Sequence, residues 1–288
     1  MAISEYDAFG PWIYEIDGVH GIPPLFAPYC QDDTACRMRF KIPREIERRR
    51  ATPDMDLYDL VVEARAQEVR ILRRTDHTVT ETRISYGQIE GIQIFRRFLE
   101  GRCTIYADGK QTVLRFNTIS MQIMQRFVRL LRQNYTGKQD CLMVPAQGET
   151  PPDILFENLL RDMQREGEAF RIGAYQPDSP LTRQKSTLLQ RLGDWIRPKS
   201  IPSAVHLVGA CELMILQKVG VPEKGRSEFG YTYTYLPLRC LRGLQIAPNE
   251  TYVGVTDFIF HAAGQPLVFS CLAQQEAVTA FYQAAALR

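Results

Sequence analysis

Ile84 to Ile94, ISYGQIEGIQI, decides how this chain reads, because it returns as Leu236 to Ile246, LPLRCLRGLQI, with Gly91 and Gly243 in the same place. The echo preserves apolar and glycine positions. Arg96 and Arg97, just beyond the first copy, have no basic counterparts at Pro248 and Asn249 beyond the second. The copies therefore share core positions and differ at the surface. Ile84, Ile89, Ile92 and Ile94 are expected in a sheet, and Gly91 and Gly243 where that sheet bends or bulges.

The elements around the echo return in one order, as expected of an internal repeat. In the first copy Leu60 to Ala64 and Glu68 to Arg74 read as a hairpin joined by Arg65, Ala66 and Gln67. Thr78 to Tyr86 alternates as a strand with one wet face. Ile89 to Phe95 follows, then a charged turn and a hairpin from Cys103 to Asn117, whose Asp108-Gly109 turn supplies positive φ. The period then changes. Ile123, Met124, Phe127, Leu130 and Leu131 form one stripe of a helix expected to start near Ser120 as N-cap. In the second copy Ala204 to Val208 and Cys211 to Gln217 make the opening hairpin, and Phe229, Tyr231, Tyr233 and Tyr235 alternate on the next strand. Thr256 to His261 and Leu267 to Ser270 form the late hairpin around Ala263-Gly264. A closing helix carries Phe281 in the place of Phe127, with Ala277, Val278, Ala284 and Ala285 on its inner face.

A small, bent antiparallel sheet capped by one C-terminal helix resembles the pleckstrin-homology-like (PH-like) fold, specifically the bacterial PH-like domains that occur singly or in tandem. The resemblance covers roughly 80 residues of each half and rests on element order. It implies an α+β chain with two antiparallel β-barrels or bent sheets, each closed by a helix, and a non-catalytic binding or self-assembly role. The phosphoinositide pattern of eukaryotic PH domains places Lys and Arg in and after the first strands. The nearest residues here are Arg70, Arg73 and Arg74, with Asp76 close by, and Lys218 alone in the second copy.

The domains are therefore expected at residues 57–136 and 204–288, with an extension over 1–56 and a helical connector over 137–203. The extension holds Tyr6, Phe9, Trp12, Tyr14 and Phe26 among Pro11, Pro23, Pro24, Pro28 and Pro43, which predicts a strap without long helices. Its basic tract from Arg37 to Arg50 is interrupted by Glu45 and Glu47, which at helical spacing pair locally. In the connector, Pro151 to Glu166 predicts a packed helix on Leu155, Leu159, Leu160 and Met163, and Tyr175 to Pro180 a turn. Ser186 to Ile196 predicts a second helix. Its Leu188, Leu192, Trp195 and Ile196 form a stripe suited to a partner or a membrane, flanked by Lys185, Arg191, Arg197 and Lys199.

The chain has 288 residues and a net charge of +2, 45% hydrophobic and 24% charged, as in ordinary globular domains. Charge is uneven, however. Residues 57–135 hold 13 Lys and Arg against 8 Asp and Glu, a net +5, whereas 204–288 hold 6 of each. An anionic membrane surface met through Arg70, Arg73, Arg74, Arg96 and Arg97 is thus the alternative to a protein, peptide or homo-oligomeric partner, and nucleic acid is not expected. The acidic N-terminus predicts no export. Seven scattered cysteines suit reduced thiols and a cytoplasmic setting. His20, His77, His206 and His261 share no metal-ligand spacing and are expected in loops or at the surface, so neither metal nor cofactor is predicted. The tyrosine row could stack a base or peptide, but cross-strand packing also accounts for it.

Overall fold

The computed structural model describes residues 4–17, 19–30, 35–136, 151, 153–185, 187, 199–219, 230–262 and 265–286. The chain is α+β with mostly antiparallel sheets, and among these residues no sheet closes into a barrel. It forms two compact units that divide it differently from the sequence halves. The first is Met1–Ile89, Leu99–Cys103 and Val113–Tyr135; the second is Glu90–Phe98, Thr104–Thr112 and Thr136–Arg288.

The first unit is built on a five-stranded sheet of β1 (Tyr14–Glu15), β2 (Cys36–Pro43), β3 (Tyr58–Arg65), β4 (Glu68–Thr75) and β5 (Thr78–Ser85), in that spatial order. Alternation along each strand gives the sheet two different faces. Val61 and Leu72 on one face pack with Phe9, Phe26, Cys30, Ala51, Leu57 and Tyr58. The extension thus lies on the sheet as a strap, with a four-residue helix α1 (Glu5–Ala8) and a 3₁₀ turn over Pro24–Tyr29. On the other face, Phe40 of β2 meets Phe127 of helix α2 (Met121–Tyr135) edge to face, ring centres 5.1 Å apart.

Two expectations are corrected here. Part of the basic tract is strand β2, and Arg39 and Lys41 are only 7% and 1% exposed. Their alternation with Met38, Phe40 and Ile42 sends them under the strap, where Lys41 Nζ donates to the Gly21 carbonyl at 2.9 Å and lies over the Tyr58 ring. Ser120 is not the cap of α2 either: Asn117 Oδ1 accepts from the Ile119 N–H, while Ser120 Oγ accepts from the Ile13 N–H at 2.9 Å, fixing the strap.

The second unit contains most of a seven-stranded sheet. Its order is β8 (Lys110–Asn117), β7 (Glu100–Ala107), β6 (Ile89–Arg97), β14 (Gly230–Pro237), β13 (Glu212–Val219), β12 (Ala204–Val208) and β9 (Arg171–Gln176). A short pair, β10 (Ser179–Pro180) and β11 (Ser200–Ile201), lies in the chain between β9 and β12. A three-stranded sheet of β15 (Gln245–Pro248), β16 (Val255–Ala262) and β17 (Gln265–Leu272) shares one core with helix α4 (Glu276–Ala286). That core joins Ala204, Val208, Leu213, Ile215 and Leu236 of the larger sheet to Phe258, Phe260, Phe269, Val278, Phe281 and Tyr282.

Three further expectations change. Arg171–Gln176 is the edge strand β9 where a turn begins at Tyr175 in the sequence reading, so residues 137–203 are not purely helical. Helix α3 (Ile154–Arg165) buries Phe156, with its leucines and Met163 only half-buried. In α4, Ala277 is exposed and Tyr282 is fully buried. The late hairpin forms as expected, although its Ala263-Gly264 turn lies outside the described residues.

The element order nonetheless recurs. Neighbouring strands β2-β3-β4-β5, a 3₁₀ turn over Tyr86–Gln88, then β6-β7-β8 and α2 are answered by β9-β12-β13-β14, a 3₁₀ turn over Leu238–Gly243, then β15-β16-β17 and α4. Both copies of the echo fall on the passage from strand through 3₁₀ turn to the next strand. Gly91 marks close packing: a Cβ there would lie 3.0 Å from Leu236 Cδ2, whereas one at Gly243 would meet nothing within 4 Å.

Candidate functional site

The arginines marked for anionic contact fall into two groups. Arg70, Arg73 and Arg74 lie on β4 of the first unit, where alternation places Arg73 on the opposite face from the other two. Arg70 bonds Glu81 at 3.0 Å, donates to the Tyr29 carbonyl at 2.6 Å and reaches Glu63 at 3.5 Å. Arg74 grips Asp59 through Nε and Nη2 at 3.0 and 2.7 Å, and Arg73 donates to the Val113 carbonyl at 3.3 Å. Local carboxylates already neutralise Arg70 and Arg74.

These contacts belong to a charged row that the sequence reading missed. Cross-strand register sets Arg39, Glu63, Arg70 and Arg83 side by side across β2 to β5. Glu63 is fully buried; its carboxylate accepts from Arg39 Nε at 2.8 Å and Arg65 Nη1 at 2.9 Å. A lone glutamate in the apolar run LVVEA was the available signal. Removing one partner from such a cluster strands a buried charge, which costs far more than an exposed pair contributes. Hydrogen bonding to Arg70 holds the Glu81 carboxyl below its usual range. Nearby, burial pushes the Cys30 thiol up to about 12 and raises Cys36 as well, so both stay protonated thiols and poor nucleophiles or metal ligands.

Arg96 and Arg97 end β6 in the second unit and are exposed. Arg96 stands opposite Tyr231 in the ladder with β14, and Arg97 opposite Gly230. Next comes Phe98, 79% exposed and in the left-handed region at φ 49, a conformation rare for an aromatic residue. Tyr231, Tyr233 and Tyr235 share the β14 face: the first two are half-buried and Tyr235 is buried. Burial pushes the Tyr233 phenol up to about 12; the nearby Arg96 opposes the rise, while Tyr231, Glu166 and Asp162 add to it. Asp153 caps α3 through the Leu155 N–H and is bonded to Lys218, whose Nζ lies over the Phe156 ring; Phe156 in turn meets Tyr175 edge to face. Phe229 lies outside the described residues, as do Leu188, Leu192, Trp195 and Ile196.

The histidine expectation fails at His206. It is 1% exposed on β12, with Nδ1 2.7 Å from Tyr282 Oη, because alternation turns it toward α4. Among the described residues Cys30, Cys36, Cys103, Cys240 and Cys271 are free thiols, but Cys211 is disulfide-bonded, contrary to the expectation of thiols only. No three His, Cys, Asp or Glu of the described residues converge as metal ligands. In the first unit, Phe9, Pro11, Pro43, Arg44, Arg115 and Phe116 line a cleft of about 610 Å³ open to solvent, its arginines balanced by Glu45, Glu47 and Glu100. No described helix is long and apolar enough to cross a membrane. No family model, curated protein or solved structure matches the sequence.

Proposed function

We propose that the chain is a non-catalytic binding or self-assembly module made of two PH-like copies. The observation that carries this reading is the recurring order of four neighbouring strands, a 3₁₀ turn, three strands and a helix. The closing helices support it in detail, since Phe127 packs on Phe40 of β2 and Phe281 lies against Gly173 of β9, the corresponding first strand. Both copies thus begin one strand earlier than residues 57 and 204. Their cores are spent on holding sheet to helix, which leaves edges, turns and the surface for recognition. Cross-linking and sizing of the full chain test the reading: captured partners or self-association are expected, and a monomer at high concentration that captures nothing would contradict it.

Contact with an anionic membrane is the second reading, favoured by the exposed Arg96, Arg97 and Phe98 in succession. Two cations beside an exposed aromatic suit a lipid headgroup layer. Vesicle sedimentation decides it. Binding to anionic but not neutral vesicles, weakened by Arg96→Glu with Arg97→Glu, is expected; equal sedimentation with both vesicle types would end it.

A further inference from the structure

We propose that β5 is a docking edge for the β5 strand of a second copy of this chain, the two strands pairing antiparallel about a twofold axis at Thr82. The inference rests on the self-assembly reading and names its surface. Strand β5 is eight residues long and lies at the end of its sheet, with β4 as its one strand neighbour among the described residues. Only Ile84 on it is buried, and Val79 half-buried. An open edge of this length is a template for another strand.

Other sheet edges are blunted. Strand β1 has two residues, and the Val113 carbonyl of β8 already accepts from Arg73. Strands β10 and β11 have two residues each, the six-residue β9 is followed by Pro177, the four-residue β15 ends in Pro248, and Pro266 sits within β17. Strand β5 is eight residues long and free of proline, and its one outward main-chain group with a side-chain partner among the described residues is the Ser85 N–H, held by Gln88 Oε1.

The hairpin register shows which backbone groups face outward. Strands β4 and β5 are joined by the two-residue turn Asp76-His77, closed by the pair Thr75 and Thr78. Such a closing pair exchanges both its hydrogen bonds, and alternation then turns Thr80, Thr82 and Ile84 toward β4 and Val79, Glu81, Arg83 and Ser85 toward the open side. A twofold partner must join outward residues to outward residues, so its axis passes through a residue position. An axis at residue 81 sets Glu81 against Glu81, and one at residue 83 sets Arg83 against Arg83. An axis at Thr82 sets Glu81 against Arg83 twice and Thr82 against Thr82, pairings that stabilise a sheet where like charges oppose it. Axes nearer either end shorten the ladder. Charge therefore selects one register, with about six main-chain hydrogen bonds across the junction, because the Ser85 N–H is already held by Gln88 Oε1 at 3.2 Å. Glu81 keeps its bond to Arg70, and Arg83, 60% exposed and paired within its own chain to Glu81 and Glu68, turns to Glu81 of the second copy.

Sedimentation equilibrium of the full chain tests this. The wild type is expected to form a dimer, and Arg83→Glu, which opposes two glutamates twice, to weaken it by about tenfold or more. Arg83→Pro removes an outward donor without removing a bond to β4 and is expected to abolish the dimer. Glu81→Arg combined with Arg83→Glu, checked for native circular dichroism, restores complementarity and is expected to restore dimerisation. A dimer indifferent to Arg83→Pro would overturn the edge while leaving self-assembly standing. A wild type that stays monomeric throughout would overturn both, and a natively folded double variant that fails to dimerise would overturn the register.

Discussion

His206 shows what one position contributes. Burial lowers its pKa to about 3, and the ring is neutral beside Tyr282 in the folded chain. The unfolded chain takes up a proton as pH falls through about 6.5, while the folded chain does not follow until about 3. The stability His206 allows is therefore complete above the unfolded pKa and declines as pH drops through the window between the two values. The expected loss is about 2 kcal/mol between about pH 7 and pH 5. Replacing both partners, His206→Phe with Tyr282→Phe, leaves no polar atom unpaired, so urea unfolding should find near wild-type stability at neutral pH and a flatter acid limb. An unchanged acid limb would show that His206 does not titrate this way. Nothing in the sequence around His206 distinguishes a buried histidine from an exposed one; the apolar alternation of AVHLV, with His206 in line with Ala204 and Val208, was the only hint.

At the scale of elements, periodicity was legible wherever a strand or helix has one buried face. The hairpins β3-β4, β7-β8, β12-β13 and β16-β17 and the helices α2 and α4 all appear where alternation or a 3.6-residue stripe marks them. Strands β2 and β9 escaped for identifiable reasons. Alternating arginine and lysine in β2 look solvated, yet Glu63, the Gly21 carbonyl and the Tyr58 ring receive them from the strap and the neighbouring strand. In β9 the prolines after Gln176 suggest a turn, and Gly173 suggests a weak strand. Gly173 has a packing cause: a Cβ there would overlap the Phe281 ring. Gly173→Ala is expected to cost about 1 to 3 kcal/mol in urea unfolding, with part of the loss recovered by Phe281→Leu. A neutral Gly173→Ala would mean that α4 does not press on β9.

For the whole molecule, the sequence carries the echo on which the proposed repetition rests, but not the way the strands assemble. The echo at Ile84 and Leu236 marks the strand-to-strand passage in both copies, but no pattern within either copy says that β6 pairs with β14, Tyr231 opposite Arg96 and Tyr235 opposite Ile92. Which edges meet depends on contacts between residues more than a hundred positions apart, and local periodicity carries no record of them. The surface residues that differ between copies, Arg96 and Arg97 among them, are where recognition belongs in this account, because the shared positions are occupied with packing. The central claim remains that one design is used twice, each copy closed by an equivalent helix. Urea unfolding of Phe127→Ala and Phe281→Ala in the full chain tests it most directly: each is expected to lose about 3 to 5 kcal/mol, the cost of emptying a packed aromatic site. A loss below about 1 kcal/mol in either variant would contradict the equivalence of the two helices.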